Sequence, residues 1–580
     1  MNKPLRKDLL DIAIDWKTAH PDLARDTYRN IIVTAEKAIQ NGDFALAEKL
    51  YTELVEAIPN AAVLWAQLAQ VYWVTKRFDQ AVKAILGAVK LEPLNPAWYT
   101  AVGTILMEAK RVVDAKAFFE TAHQLDPEDA STLVRMMRLK LDFCDWSIYE
   151  DTKNVERVLG NAVAKGDQFT PFLFSDNPTL LKRRAVAAAK RMTKVAPTVV
   201  RFERDSAENR KIRIGYFSND FFHHATMQLL RRVLELHDRD KFEIFVYDYT
   251  ATHDPDLTEF VKKNSDQYLS VKDKTDFEVA EIARADKIDA ALDLKGYTTG
   301  GRMRIFANRA APVQVSYLGY PGTTGLKAID YFLADPLTIP AEARKHMSEK
   351  ILYMPQCYQP NDNTRPLPKK KFTRAQLGLP EDAIVFGSFN NPNKVGPEEF
   401  DVWMKLLKAV PDSVLWFLAD REEIQVNIKQ EAEKRGVGAD RVIFAPRCAT
   451  EDHFERITLV DIFLDTFACN AHTTASETLW AGVPVVTKTG QQFAARVATS
   501  IVHAIGCPEL ACDSKEAYFE LALKLATDRE ALAAIKQKLS DNVFATPLYD
   551  SEQYTRDFEA LLTKAVRHYD AGKKPEHMGL

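Results

Sequence analysis

The 580-residue sequence predicts an α plus α/β multidomain chain, a helical repeat array followed by two doubly wound α/β halves. Three observations carry this. Self-comparison at a shift of 34 aligns Pro59, Pro93 and Pro127, then Ala47, Ala81 and Ala115, and the bulky pair Trp65 and Tyr99. From Lys211 the pattern changes to short apolar runs alternating with helical stretches, which argues for parallel sheets. Around Pro355 to Lys371 proline, asparagine and lysine accumulate as in a linker, and then the alternation begins again.

Composition bounds the class. The length exceeds one hydrophobic core and predicts about three or four domains. A hydrophobic share of 46% and a charged share of 27% are those of a globular chain and argue against disorder. The net charge of −4 gives no electrostatic footprint for nucleic acid. The cysteines form no C-x-x-C pair, so neither zinc nor a disulfide framework is expected and the thiols read as reduced. MNKPLRKDLLDIAIDWK is broken by charges before an apolar core of a signal can form, and no apolar run of about 18 residues occurs. A cytoplasmic protein without membrane or nucleic-acid partners is the expectation.

The 34-residue helix-turn-helix period with proline at the repeat end resembles tetratricopeptide repeats, with second helices in NGDFALAEKLYTELVEAIPN, TKRFDQAVKAILGAVKLEPLN and AKRVVDAKAFFETAHQLDPED. Stacked repeats present a concave surface, which either docks a polypeptide or merely caps the next domain. The expected domains are residues 1–140 (repeats), 141–209 (helical connector), 210–370 and 371–545 (the two Rossmann-like halves) and 546–580 (C-terminal helix and tail). In the connector DFCDWSIYED is aromatic and acidic, PFLFSDNP reads as a proline-bracketed loop, LLKRRAVAAAKRM as a helix with a solvated basic face, and APTVVRFERDSAENRK leads to the first strand.

Candidate strands of the first half are Ile212 to Phe217, Glu243 to Tyr249, Ile288 to Leu294, Val313 to Leu318 and Tyr331 to Ala334. Those of the second are Ile384 to Phe389, Val414 to Leu418, Val442 to Phe444, Ile462 to Leu464 and Val483 to Thr487. Two such halves place a ligand cleft between them. From Pro547 to about Asp570 an amphipathic helix is expected, and AGKKPEHMGL reads as a frayed tail.

The stretch DIFLDTFACNAHTTASETLWAGVPVVTKTG reads as a βαβ unit. Its helix N-terminus sits at the carboxyl ends of parallel strands, where open α/β sheets bind ligands. Unpaired N–H groups and the helix dipole there let His472, Thr473 and Thr474 cradle a phosphate or diphosphate. The competing reading is a capping box of Thr474 and Glu477, in which both side chains satisfy backbone N–H groups. In SNDFFHHAT two histidines precede a helix, as functional or as packed and capping residues; GYTTGGR and GYPGTTG are glycine-rich turns. Lys394 in NNPNK is either a diphosphate partner or a solvated lysine.

RIGYFSNDFFHHAT, DLKGYTTGGR, APVQVSYLGYPGTTG, SEKILYMPQCY, LGLPEDAIVFGSFNNPNK, VPDSVLWFL and LDTFACNAHTTASETLWAGVPVVT, in this order, resemble the nucleocytoplasmic O-linked N-acetylglucosamine transferases and their bacterial relatives. The resemblance covers nearly the whole chain. It implies a GT-B fold and an inverting, metal-independent transfer of a sugar, N-acetylglucosamine first of all, from a UDP-sugar to serine or threonine of proteins. No cofactor is implied, the UDP-sugar being a substrate. It further implies that His224 is an active-site histidine that either accepts the hydroxyl proton or orients the acceptor, and that Lys394 contacts the donor diphosphate. His453 falls beside the uracil, and His472, Thr473 and Thr474 at the diphosphate-binding helix start.

Three departures stand out. Glu477 replaces a ribose-binding aspartate, Thr450 a lysine that helps hold the nucleoside, and Asn391 and Asn393 a glutamine and a tyrosine beside the diphosphate lysine. They leave open another nucleotide sugar; the alternatives beside it are another acceptor, such as flagellin or an asparagine, and, from a different class, a scaffold built on the repeats with a weak or inactive transferase half.

Overall fold

The computed structural model describes residues 26–161, 166–193, 202, 210–251, 254–369 and 371–580. The stretch MNKPLRKDLLDIAIDWK and most of APTVVRFERDSAENRK lie outside them. The chain divides into two compact units, Met1–Lys140 and Leu141–Leu580.

In the first unit the helices Asp26–Gln40, Phe44–Ala57, Ala62–Val74, Phe78–Leu91, Pro96–Glu108 and Val112–Leu125 alternate at the 34-residue period. The small residues at the packing points explain the repeat: Ala47, Ala81 and Ala115 are all fully buried. Gly87 accommodates a ring, since a Cβ there would come within 2.8 Å of Trp65. Gly42, Lys76 and Lys110, one period apart, share a left-handed turn with φ of 77°, 61° and 61°.

The second unit holds two parallel sheets. The first contains β1 (Ile212–Ser218), β2 (Phe242–Asp248), β3 (Gln267–Ser270), β4 (Ala290–Asp293), β5 (Val313–Ser316), β6 (Tyr331–Ala334) and β7 (Lys350–Tyr353). The second contains β8 (Val385–Ser388), β9 (Val414–Leu418), β10 (Val442–Ala445), β11 (Ile462–Leu464), β12 (Val485–Lys488) and β13 (Ala511–Cys512). A last strand, β14 (Met578–Gly579), completes the first sheet. The orders are β14-β7-β6-β5-β4-β1-β2-β3 and β10-β9-β8-β11-β12-β13. All ten strands expected from sequence form within a few residues of their expected bounds; β3, β7, β13 and β14 are additions.

Strands buried on both faces need apolar layers on each side. One face of the first sheet packs Ile214, Tyr216, Leu292 and Val315 against the helix Ala225–Leu236 and the final helix Ser551–Asp570, through Phe558, Leu561 and Leu562. The other packs Phe217, Tyr247 and Ala291 against Val279 and Ala283. The final helix thus crosses back to the first half. Its tail is not frayed: Met578 pairs with Leu352 in β7 and is 6% exposed, so AGKKPEHMGL ends as an edge strand.

Two connector expectations are also corrected. Thr170–Phe174 is a helical turn rather than loop, because Pro171 suits the first helical turn, where its missing N–H has no intrahelical acceptor to lose, and Asp167 accepts the N–H groups of Phe169 and Thr170 at 2.8 and 3.0 Å. The helix Pro178–Met192 does not keep every charge in solvent, since Arg184 is 2% exposed and donates to the Leu159 carbonyl at 2.9 Å. Burial brings its guanidinium down to about 10.

Candidate active site

The carboxyl ends of the two sheets carry the singled-out loops. On the second half, β8 leads into a short turn, Pro392–Lys394, whose lysine Nζ donates to the Asn470 carbonyl at 2.7 Å. Lys394 therefore stands beside the helix Thr473–Trp480. The loop between is pinned by Asp465 at the end of β11, which accepts from Asn390 Nδ2, Thr466 N, Ala471 N and Thr487 Oγ1 at 3.0, 2.8, 2.7 and 2.7 Å. Complete burial nonetheless pushes that carboxyl up to about 6.

The capping-box reading of Thr474 and Glu477 does not hold. His472 is the N-cap residue and no side chain caps the helix. The Glu477 carboxylate instead faces Arg365 at 3.4 Å, and Arg365 lies over the Phe454 ring at 4.8 Å. Thr473 and Thr474 remain half-buried with first-turn N–H groups that lack intrahelical acceptors. His472 Nε2 contacts the Ala494 carbonyl at 3.3 Å; burial, then Lys394, lowers its pKa to about 3, so the ring is neutral beside the lysine.

His453 lies on the helix Thr450–Ile457, its ring edge-on to Phe389 at 5.3 Å. Arg456 Nε donates to its Nδ1 at 3.0 Å, which leaves the proton of the neutral ring on Nε2. Burial and the cations Arg456 and Arg447 lower its pKa to about 4. Asn391 is exposed at the start of the lysine turn, whereas Asn393 is buried and donates to Asp142 at 2.7 Å. Trp146 Nε1 donates to the Val395 carbonyl at 3.0 Å, so DFCDWSIYED buttresses the loop that carries Lys394.

On the first half, His224 caps the helix Ala225–Leu236, its Nδ1 accepting the Thr226 N–H at 3.2 Å. The capping reading is thus met, while the side chain stays 40% exposed. Burial lowers its pKa, Asp220 opposing and Lys295 adding to the fall. Its neighbour His223 reaches Thr450 Oγ1 at 2.8 Å and so joins the two halves. The nearby turn needs its glycines: Gly300 has φ of 80°, and a Cβ on Gly301 would lie 2.1 Å from the Gly296 carbonyl.

The structure therefore brings Lys394, His472, Thr473 and Thr474 together, sets Glu477 one turn further along the same helix and His453 on the helix Thr450–Ile457, and holds His224 on the other half. Sequence reasoning misses Asp220, Lys295, Arg365, Arg456 and Trp146. Asp220 and Lys295 each follow a strand end, the one positional signal that finds them. Among the described residues no group of three or more His, Cys, Asp or Glu side chains gathers to hold a metal ion, and no helix is long and apolar enough to cross a membrane.

Helical repeats ahead of two Rossmann-like halves, with a lysine beside an open helix start at the strand ends, define the class of repeat-bearing GT-B proteins. Within it the chain belongs to glycosyl transferase family 41, whose model matches residues 175–371 and 369–558; a tetratricopeptide repeat model matches 38–105. A probable UDP-N-acetylglucosamine–peptide N-acetylglucosaminyltransferase of Arabidopsis thaliana is 35% identical over 374 residues, covering 63% of this chain and 38% of that one. The UDP-N-acetylglucosamine–peptide N-acetylglucosaminyltransferase of Caenorhabditis elegans is 28% identical over 493 residues, covering 66% and 43%. The chain thus spans about two fifths of the length of these curated relatives. The solved structure of a mutant Thermobaculum terrenum O-GlcNAc transferase is similar over 94% of this chain and 98% of its own, at 25% identity and a TM-score of 0.68.

Proposed function

We propose that the protein transfers N-acetylglucosamine from UDP-N-acetylglucosamine to serine or threonine hydroxyls of proteins, with inversion and without a divalent metal. The observation that carries the reading is the contact of Lys394 with the Asn470 carbonyl, which sets an ammonium beside the start of the helix Thr473–Trp480. The acceptor hydroxyl attacks the anomeric carbon as the bond to the diphosphate oxygen breaks, and the leaving UDP takes the electron pair. Lys394 and the first-turn N–H groups of Thr473 and Thr474 stabilise its charge, as preorganised donors do. His453 lies against the base, Glu477 meets the ribose with Arg365 orienting it, Asn391 flanks the diphosphate, and His224 faces the acceptor. The reaction runs in the cytoplasm, and the repeats dock the acceptor protein.

A second reading, transfer from another nucleotide sugar, is favoured by Thr450. It stands where relatives hold the nucleoside with lysine, and here it is hydrogen-bonded to His223. Thermal stability against a panel of nucleotide sugars, with EDTA added throughout, separates the two. A ligand at one hundred times its Kd stabilises by about 2.7 kcal/mol. UDP-N-acetylglucosamine and UDP shift Tm on the first reading; a shift with another nucleotide sugar alone moves the assignment to the second, and no shift with any leaves the scaffold.

A further inference from the structure

Beneath His224 lies a buried ion pair that the donor side does not use. Asp220, 3% exposed, ends the turn after β1, and Lys295, 4% exposed, follows β4. β1 and β4 are neighbours, Phe217 pairing with Asp293, so the two residues leave adjacent strand ends. Lys295 Nζ donates to both Asp220 oxygens, at 2.7 and 2.8 Å. Thr226 Oγ1 donates to Asp220 Oδ2 at 3.2 Å, and His224 Nδ1 lies 3.4 Å from the same oxygen. Apolar replacement of a buried pair is often neutral or stabilising, so stability alone is a weak reason for this one.

The same Nδ1 accepts the Thr226 backbone N–H at 3.2 Å. One ring nitrogen cannot accept that N–H and donate to a carboxylate at once. While Nδ1 accepts, the neutral ring carries its proton on Nε2 and offers the cleft a donor. With the proton on Nδ1, directed at Asp220 Oδ2 or at Thr226 Oγ1 3.1 Å away, Nε2 is a free base. The Asp220 charge pulls toward the second state, and Lys295 opposes it.

We propose that Lys295 is a positioning residue for His224: acting through Asp220, it sets which ring nitrogen carries the proton, and so whether the side chain orients the acceptor hydroxyl or takes its proton. The proposal rests on the reading of His224 as acceptor-facing. In the base-competent state the hydroxyl proton passes to Nε2 as the new C–O bond forms and the bond to the diphosphate breaks; the Nδ1–H of the resulting imidazolium is held by Asp220 and the proton leaves to solvent. Among the described residues two charged groups face the ring, Asp220 from its own loop and Lys295 from the loop after β4. The Phe222 ring packs 5.5 Å away, and His223 turns to Thr450 and to Asp254.

The test is an NMR titration of labelled histidine in the full chain, reading the His224 midpoint and which nitrogen is protonated, beside the pH profile of kcat/KM. In Lys295→Met the midpoint moves to higher pH, the proton shifts to Nδ1, and the acid limb of the profile moves in the same direction. The double variant Asp220→Asn, Lys295→Met leaves no unpaired buried charge and serves should the single variant fail to fold. There the midpoint falls below that of the wild type, because the Asp220 pull outweighs the Lys295 opposition, and Nε2 keeps the proton. An unchanged midpoint in either folded variant overturns the proposal, as does a proton that stays on Nε2 in Lys295→Met. A wild type without transfer activity defeats the transferase reading, while the titration still reports on Lys295.

Discussion

Lys394 Nζ and the Asn470 carbonyl oxygen lie 2.7 Å apart, joining the loop after β8 to the loop that opens the helix Thr473–Trp480. A carbonyl is a weak partner for an ammonium that an incoming diphosphate would satisfy better. In the proposed reaction this contact holds the lysine beside the leaving diphosphate without neutralising it.

Lys394→Met keeps the length and apolar stem of the side chain and removes the charge. Turnover should fall roughly 100- to 1000-fold with the fold intact, the range for losing one preorganised donor. Steady-state kinetics with circular dichroism as the fold control reads it, and near-native kcat would remove the assigned role.

Trp146→Phe retains an aromatic ring against Phe400, at 5.0 Å in the native protein, and loses the N–H donated to Val395. A net hydrogen bond contributes about 1 kcal/mol, so UDP affinity should weaken roughly fivefold by calorimetry. An unchanged Kd means that the buttress does not set the lysine loop.

His453 is neutral when folded, its pKa lowered from 6.5 to about 4. A depressed folded value means that the unfolded chain binds the proton first. The stability linked to the neutral ring is complete above 6.5 and is lost as pH falls toward about 4. The urea midpoint of the wild type relative to His453→Gln should therefore drop between neutral and mildly acidic pH, and a constant difference contradicts this.

Met578 is buried in the strand that closes the first sheet. Met578→Ala should cost about 2 kcal/mol, the low end for a buried methionine, read as a lower denaturant midpoint. A frayed tail predicts no change.

Lys76 and Lys110 occupy the left-handed turn position that Gly42 fills one period earlier. Lys76→Gly should stabilise the repeat unit by about 1 kcal/mol, because a non-glycine residue pays roughly that in this region. A lower Tm would show that the lysine side chain makes a compensating contact.

These residues also mark where sequence suffices. The repeat is legible because small residues such as Ala81 and Ala115 recur at its packing points, and buried strands such as β9, Val414–Leu418, declare themselves as apolar runs. β3 is half exposed along its length and β13 is two residues long, too weak a pattern to read. The tail pairs through one buried side chain, Met578, amid polar residues. In the site, Lys394 and the His472 to Thr474 stretch are legible from motif and resemblance. That Lys394 reaches Asn470, 76 positions on, or that Lys295 meets Asp220 across 75, depends on which strands become neighbours. Glu477 illustrates the remaining difficulty: its spacing from Thr474 fits a local cap, but Arg365 from the linker captures the carboxylate instead.

Transfer to protein hydroxyls is tested by incubating the full chain with UDP-N-acetylglucosamine carrying an isotopic label in the sugar and with protein extract, then mapping labelled peptides by mass spectrometry before and after β-elimination. Label is expected on serine and threonine, released by base, present with EDTA and absent with Lys394→Met. Label on asparagine, label that requires a divalent metal, or equal labelling by the Lys394→Met protein would contradict it.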